Sequence, residues 1–148
     1  MASQASPQRE AQRDEMPLGV LVYSDDPEVR RQFELAIGPH PAADLPRLEF
    51  HHVATAPIVV STVASGQIDV CVLDGEAWPA GGMGICRQLK DELAGAPPVL
   101  LVIGRRDEAW LAHWSRADAV VAHPIDPPLL AEACVELLRT RVDRLPAR

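Results

Sequence analysis

The chain has 148 residues, a formal net charge of -7 and a hydrophobic fraction of 47%, which suits one domain with a single core. Its acidity, with a pI of about 5.1, disfavours direct contact with nucleic acid or anionic lipid. No apolar run is long enough to span a membrane. Residues 1–16 are polar, lack the apolar stretch of a secretory signal and read as a disordered tail. Cys71, Cys86 and Cys134 are scattered, without a CxxC pair, as expected of reduced core thiols in a cytoplasm.

Leu18 to Tyr23 is apolar throughout and reads as a central strand. Ser24, Asp25 and Asp26 follow. Asp26 is a good N-cap, and Pro27 fits the first helical position, where its missing N–H costs nothing. Val29, Phe33, Ala36 and Ile37 mark one helical face, which Gly38 ends. After a Pro-rich loop, Leu48 to Val53 alternates partly, as an edge strand does. Pro57 to Ser65 predicts a short helix with Ile58, Val59, Thr62 and Val63 inward.

Ile68 to Asp74 (Ile-Asp-Val-Cys-Val-Leu-Asp) is the stretch that organises the chain. Four consecutive apolar residues run into a carboxylate, the pattern of a strand buried on both faces with an acid at its exit. Gly75 to Gly84 is too rich in Gly and Pro to be anything but loop. Ile85, Leu89 and Leu93 then space a third helix ending near Gly95. Pro98 to Ile103 is another apolar strand. Asp107 caps a fourth helix to about Arg116, with Trp110, Leu111 and Trp114 on one side. Ala119 to Ala122 is the fifth strand. Asp126 caps and Pro127 opens a last helix with Leu130, Ala133, Cys134 and Leu137 inward, and the charged tail beyond Arg139 frays.

Five strands alternating with five helices predict right-handed βαβ crossovers and a parallel sheet. The fold class is α/β: a flavodoxin-like (βα)5 three-layer sandwich of strand order 2-1-3-4-5. The predicted boundaries are a tail at 1–16, the domain at 17–140 and a second tail at 141–148.

That topology carries Asp25, Asp74, Ile103 and His123 to one rim, at the carboxyl ends of the strands. Asp25 alone reads as an ordinary solvated acid, but its match with Asp74 on a neighbouring strand strengthens both. Two such carboxylates call for a cation or a proton between them. Oxygen ligands without thiolate or clustered imidazole suit Mg²⁺, which needs only one or two carboxylates. His51 and His52 point to opposite faces of one strand and cannot share a metal there. The glycines at 81, 82 and 84 do not form GxGxxG, so dinucleotide binding is a poor reading, and no Ser-His-Asp arrangement stands out. Trp110 and Trp114 share a helix face. Packing on the sheet and exposure as an interface anchor explain that spacing equally well.

From about Val20 to Leu138 the chain resembles the receiver domain of two-component response regulators. Val20-Leu21-Val22-Tyr23-Ser24-Asp25-Asp26-Pro27 looks like that family's opening strand and acidic cluster. Asp69 to Asp74, with Gly82 eight residues later, looks like its phosphoacceptor strand and loop. Ala122-His123-Pro124 looks like the segment that usually carries Lys-Pro. The resemblance implies Asp74 as phosphoacceptor. It implies a Mg²⁺ site on Asp25, Asp74 and the backbone carbonyl of Glu76, with Asp26 beside it. It implies a histidine kinase or a downstream complex as partner, and a homodimer or partner surface on the fourth helix, fifth strand and fifth helix.

The departures are specific. The first acid of the usual pair is Ser24, the usual Thr or Ser is Ile103, the usual Lys is His123 and the aromatic switch position is Val120. Ile103 has no hydroxyl for a phosphoryl oxygen, and a neutral imidazole supplies less charge than an ammonium. The expectation is an atypical, stand-alone receiver that signals by protein–protein interaction, with weak or no phosphorylation of Asp74. It is not an enzyme, beyond slow turnover of its own phosphoryl group. The alternative is a flavodoxin-like enzyme or small-ligand binder that uses the same Asp25/Asp74 rim.

Overall fold

A computed structural model describes residues 16–104 and 109–144. The five strands are β1 (Leu18–Tyr23), β2 (Leu48–Val53), β3 (Val70–Asp74), β4 (Val99–Ile103) and β5 (Ala119–Ala122). The helices are α1 (Pro27–Ile37), α2 (Ala56–Ala64), α3 (Gly82–Glu92), α4 (Ala109–Ser115) and α5 (Pro127–Arg144). All strand pairs are parallel, in the order β2-β1-β3-β4-β5. This is the predicted three-layer sandwich, with β2 at one edge.

Strand alternation divides the interior in two. Leu21, Tyr23, Cys71, Leu73, Leu101 and Ile103 face α2 and α3, where Val59, Val63, Ile85, Cys86 and Leu89 pack against them. Val20, Val22, Val70, Val72, Leu100 and Val102 face α1 and α5, meeting Phe33, Ile37, Leu130, Cys134 and Leu138. A strand covered on both faces has no polar side, which is why the three central strands are apolar runs. The cysteines are free and buried. Burial pushes the Cys71 and Cys134 thiols up to about 12 and Cys86 to about 11, so all three stay protonated.

The local signals act as expected at α1. Asp26 caps it, its carboxylate accepting the Glu28 N–H at 2.9 Å, and Gly38 ends it at a φ of 73°. Three expectations differ. The stretch from Gly75 is not loop as far as Gly84, because α3 already starts at Gly82, where the missing Cβ lets the backbone lie against the Asp74 carbonyl. Ile58 is exposed: Val59 and Val63, four residues apart, already cover the sheet, and their neighbour turns to water. The last helix also does not fray at Arg139 but continues to Arg144. Leu138 is buried, and the half-buried Arg141 reaches to 3.9 Å from the buried Asp69 carboxylate, so the charged residues lie along an ordered helix. The Asp107 cap lies outside the described residues.

Candidate functional site: the Asp74 rim

Strand register assembles the rim. Tyr23 pairs with Leu73, which brings Ser24 beside Asp74. Asp74 pairs with Val102, one residue before Ile103, and Ile103 pairs with Ala122, one residue before His123. The main chain is tight here. Gly75 donates its N–H to the Val102 carbonyl at 2.7 Å, and a Cβ on Gly75 would lie 2.8 Å from that oxygen. A Cβ on Gly82 would lie 2.8 Å from the Asp74 carbonyl oxygen. Only glycine lets the loop after β3 and the start of α3 come so close.

Asp74 is buried, at 5% exposure, and both of its oxygens are engaged. Oδ2 accepts the hydroxyl of Ser24, itself fully buried, at 2.8 Å. Oδ1 accepts the Glu76 N–H at 2.9 Å, and His123 Nε2 stands 3.7 Å from it, beyond hydrogen-bond reach. The Ser24 hydroxyl also accepts the Asp26 N–H at 3.1 Å, so one side chain ties the β1 exit to Asp74. Ile103, at the end of β4, is buried and apolar, and its side chain offers no hydrogen-bond donor to the rim.

Asp25 is exposed, and its Oδ1 accepts the Trp78 N–H at 3.1 Å. Beneath it, Tyr23 donates its hydroxyl to the Ala80 carbonyl at 2.5 Å. Burial first, then the Asp25 and Asp74 charges, raise that phenol above its usual range, so it remains a donor. Tyr23 at the end of β1 and Asp25 just beyond it thus hold the β3–α3 loop, leaving the Trp78 indole 76% exposed. The Glu76 side chain is exposed and lies over Gly104, where a Cβ would collide with its carboxylate.

The rim therefore brings Asp25, Asp74, Glu76, Ile103 and His123 together, while the Asp26 carboxylate faces away as the α1 cap. Sequence reasoning treated Ser24 only as a missing acid and did not single out Tyr23. For Ser24 the available signal was a hydroxyl directly after an apolar strand, and for Tyr23 a phenol at the end of a strand that is otherwise without polar side chains. Among the described residues no group of three or more His, Cys, Asp or Glu side chains could hold a metal ion. Two carboxylates and a carbonyl still match the undemanding protein ligand count of Mg²⁺, which keeps several waters.

Away from the carboxylates, Trp110 and Trp114 of α4 are 70% and 50% exposed. The Arg87 guanidinium of α3 lies 4.9 Å from the Trp114 ring centre. The Leu111 side chain lies outside the described residues. A cleft of about 750 Å³ beside β5 and α5 is lined by Ile103, Val120, His123, Ile125 and Leu129 among others, but by neither Asp25 nor Asp74. No described helix is long and apolar enough to cross a membrane.

No family model matches the chain. It is 51% identical over 122 residues to an uncharacterized response regulatory protein of Mycobacterium tuberculosis, in strains CDC 1551 / Oshkosh and H37Rv, covering 82% of this chain and 92% of that protein. Among solved structures, it resembles a CheY-like response regulator receiver domain of Methanospirillum hungatei at a TM-score of 0.69 and 16% identity, covering 87% of this chain and 99% of that one. It also resembles the BeF3-activated receiver domain of Klebsiella pneumoniae RstA at a TM-score of 0.67 and 20% identity, covering 82% and 98%. With that degree of identity to a response regulatory protein, and with this strand order, the chain belongs to the response regulator family and has its receiver fold.

Proposed function

We propose that this receiver acts as a protein-interaction module in which phosphorylation of Asp74 is weak or absent and is uncoupled from the output surface. The observation that carries this reading is the state of the Asp74 carboxylate: 5% exposed, with Ser24 and Glu76 donating to its two oxygens. Receiver domains act with protein partners such as kinases, and phosphoryl transfer depends on positioning and on neutralising charge. Here Ile103 supplies no donor to a phosphoryl oxygen, and the imidazole at 3.7 Å replaces an ammonium.

Asp25, Asp74 and the Glu76 carbonyl would hold Mg²⁺, which when bound would supply positive charge to the phosphoryl oxygens. Ser24 gives that site one carboxylate fewer than the family pattern, which weakens its hold on the cation. Asp25 would have to share its oxygens between the cation and the Trp78 N–H. The buried, protonated thiols suit a reducing cytoplasm. The match over 92% of the M. tuberculosis relatives leaves little of them for a separate output domain, which supports a stand-alone reading there.

Incubation with acetyl phosphate and Mg²⁺, followed by intact-mass measurement, tests the proposal. The expected result is little or no phosphoryl adduct. Stoichiometric labelling that disappears in Asp74→Asn would overturn it.

A further inference from the structure

We propose that the Trp110–Trp114 face, bounded by Arg87 and Arg116, docks a protein segment that carries acidic residues around an apolar one. This rests on the interaction-module reading and names the chemistry of its partner. Trp110 and Trp114 are 70% and 50% exposed. Four residues apart on α4, they present adjoining indoles. Trp and Arg are the residue types that most often anchor interfaces.

The arginine beside them is already in place. Arg87 Nη1 donates to the Trp114 carbonyl at 2.8 Å, Nε donates to Asp91 at 3.3 Å, and the guanidinium lies 4.9 Å from the Trp114 ring centre. A guanidinium fixed before docking loses less entropy when a carboxylate arrives. Arg116 Nη1 donates to the same Asp91 carboxylate at 2.9 Å. One acid thus serves two arginines. Nearby, Lys90 is matched by Asp118 at 2.6 Å. Among the described groups beside the indoles, three cations (Arg87, Lys90 and Arg116) meet two carboxylates (Asp91 and Asp118), on a chain whose net charge is -7. Charge complementarity favours carboxylates in the occupant, and the indoles favour an apolar side chain between them.

The geometry also locates this surface. Arg87 belongs to α3, so the indole face runs across α3 and α4 and shares only α4 with the surface of fourth helix, fifth strand and fifth helix that the resemblance implies.

The test is selection of a phage-displayed library of random dodecapeptides on the full chain. Binding of the selected peptides is then measured to wild type, Trp110→Ala/Trp114→Ala, Arg87→Gln and Asp74→Asn. The expected peptides carry Asp or Glu beside an apolar residue and lose roughly ten-fold or more in affinity on the tryptophan and arginine variants. Basic or uncharged peptides, peptides indifferent to those variants, or no enrichment would overturn the proposal. So would a dimer in sedimentation that the tryptophan substitutions dissolve, because the face would then belong to a second copy. Asp74→Asn separates the two readings. Unchanged binding supports both. Binding lost in Asp74→Asn but still dependent on the tryptophans would contradict the phosphorylation-independent module and leave the chemistry of the face standing.

Discussion

The rim and the α3–α4 face handle polar groups in opposite ways. At the rim, Asp74 is buried and its oxygens accept from Ser24 and Glu76. On α3–α4, one Asp91 is shared by two arginines, and two indoles stand in water. A carboxylate already satisfied by internal donors gains little from a newcomer, whereas exposed aromatics beside an under-neutralised guanidinium pair gain much. The comparison teaches that the residues marking the family need not be the residues through which a given member acts.

The sharpest way to break the contrast is to rebuild the rim. Ile103→Thr with His123→Lys restores a hydroxyl and an ammonium near Asp74. Labelling by acetyl phosphate is expected to rise by roughly ten-fold or more, since one charge-assisted contact of about 1.4 kcal/mol carries that factor. Unchanged labelling would move the block elsewhere in the site. A smaller effect comes from Ser24→Ala, which strips the buried Asp74 Oδ2 of its hydroxyl donor. The expected loss is about 1–3 kcal/mol in urea unfolding, and no loss would mean that water replaces the hydroxyl. The smallest effect belongs to the other region. Trp110→Ala removes an exposed side chain and is expected to change stability by no more than about 0.5 kcal/mol. A loss above about 2 kcal/mol would place that indole in the core and blur the comparison.

How much of this was legible follows from the physics of each signal. The apolar runs of β1, β3 and β4 announced a doubly covered parallel sheet, because burial on both faces leaves no room for polar residues. Asp26 and Pro27 announced the start of α1 for a local reason that needs no tertiary context. Ile58 was misjudged because apolarity does not say which residues of a short helix reach the sheet when Val59 and Val63 suffice. The end of α5 was misjudged because charge was taken as a stop, while Arg141 reaches the buried Asp69. The rim acids could be read from their place after apolar strands. The donation from Ser24 to Asp74 could not, because it depends on strand register. The exposure of Trp110 and Trp114 was equally hidden, since four-residue spacing serves a core and an interface alike.

The most direct test of the central claim is an amide NMR titration of the chain with Mg²⁺ and then with BeF3, on wild type and on Asp74→Asn. The account predicts shifts confined to the neighbourhood of Asp25, Asp74 and the Trp78 loop, with α4 unmoved. Shifts that spread through α4 to Trp110 and Trp114, and vanish in Asp74→Asn, would contradict it and make the rim a working phosphorylation switch.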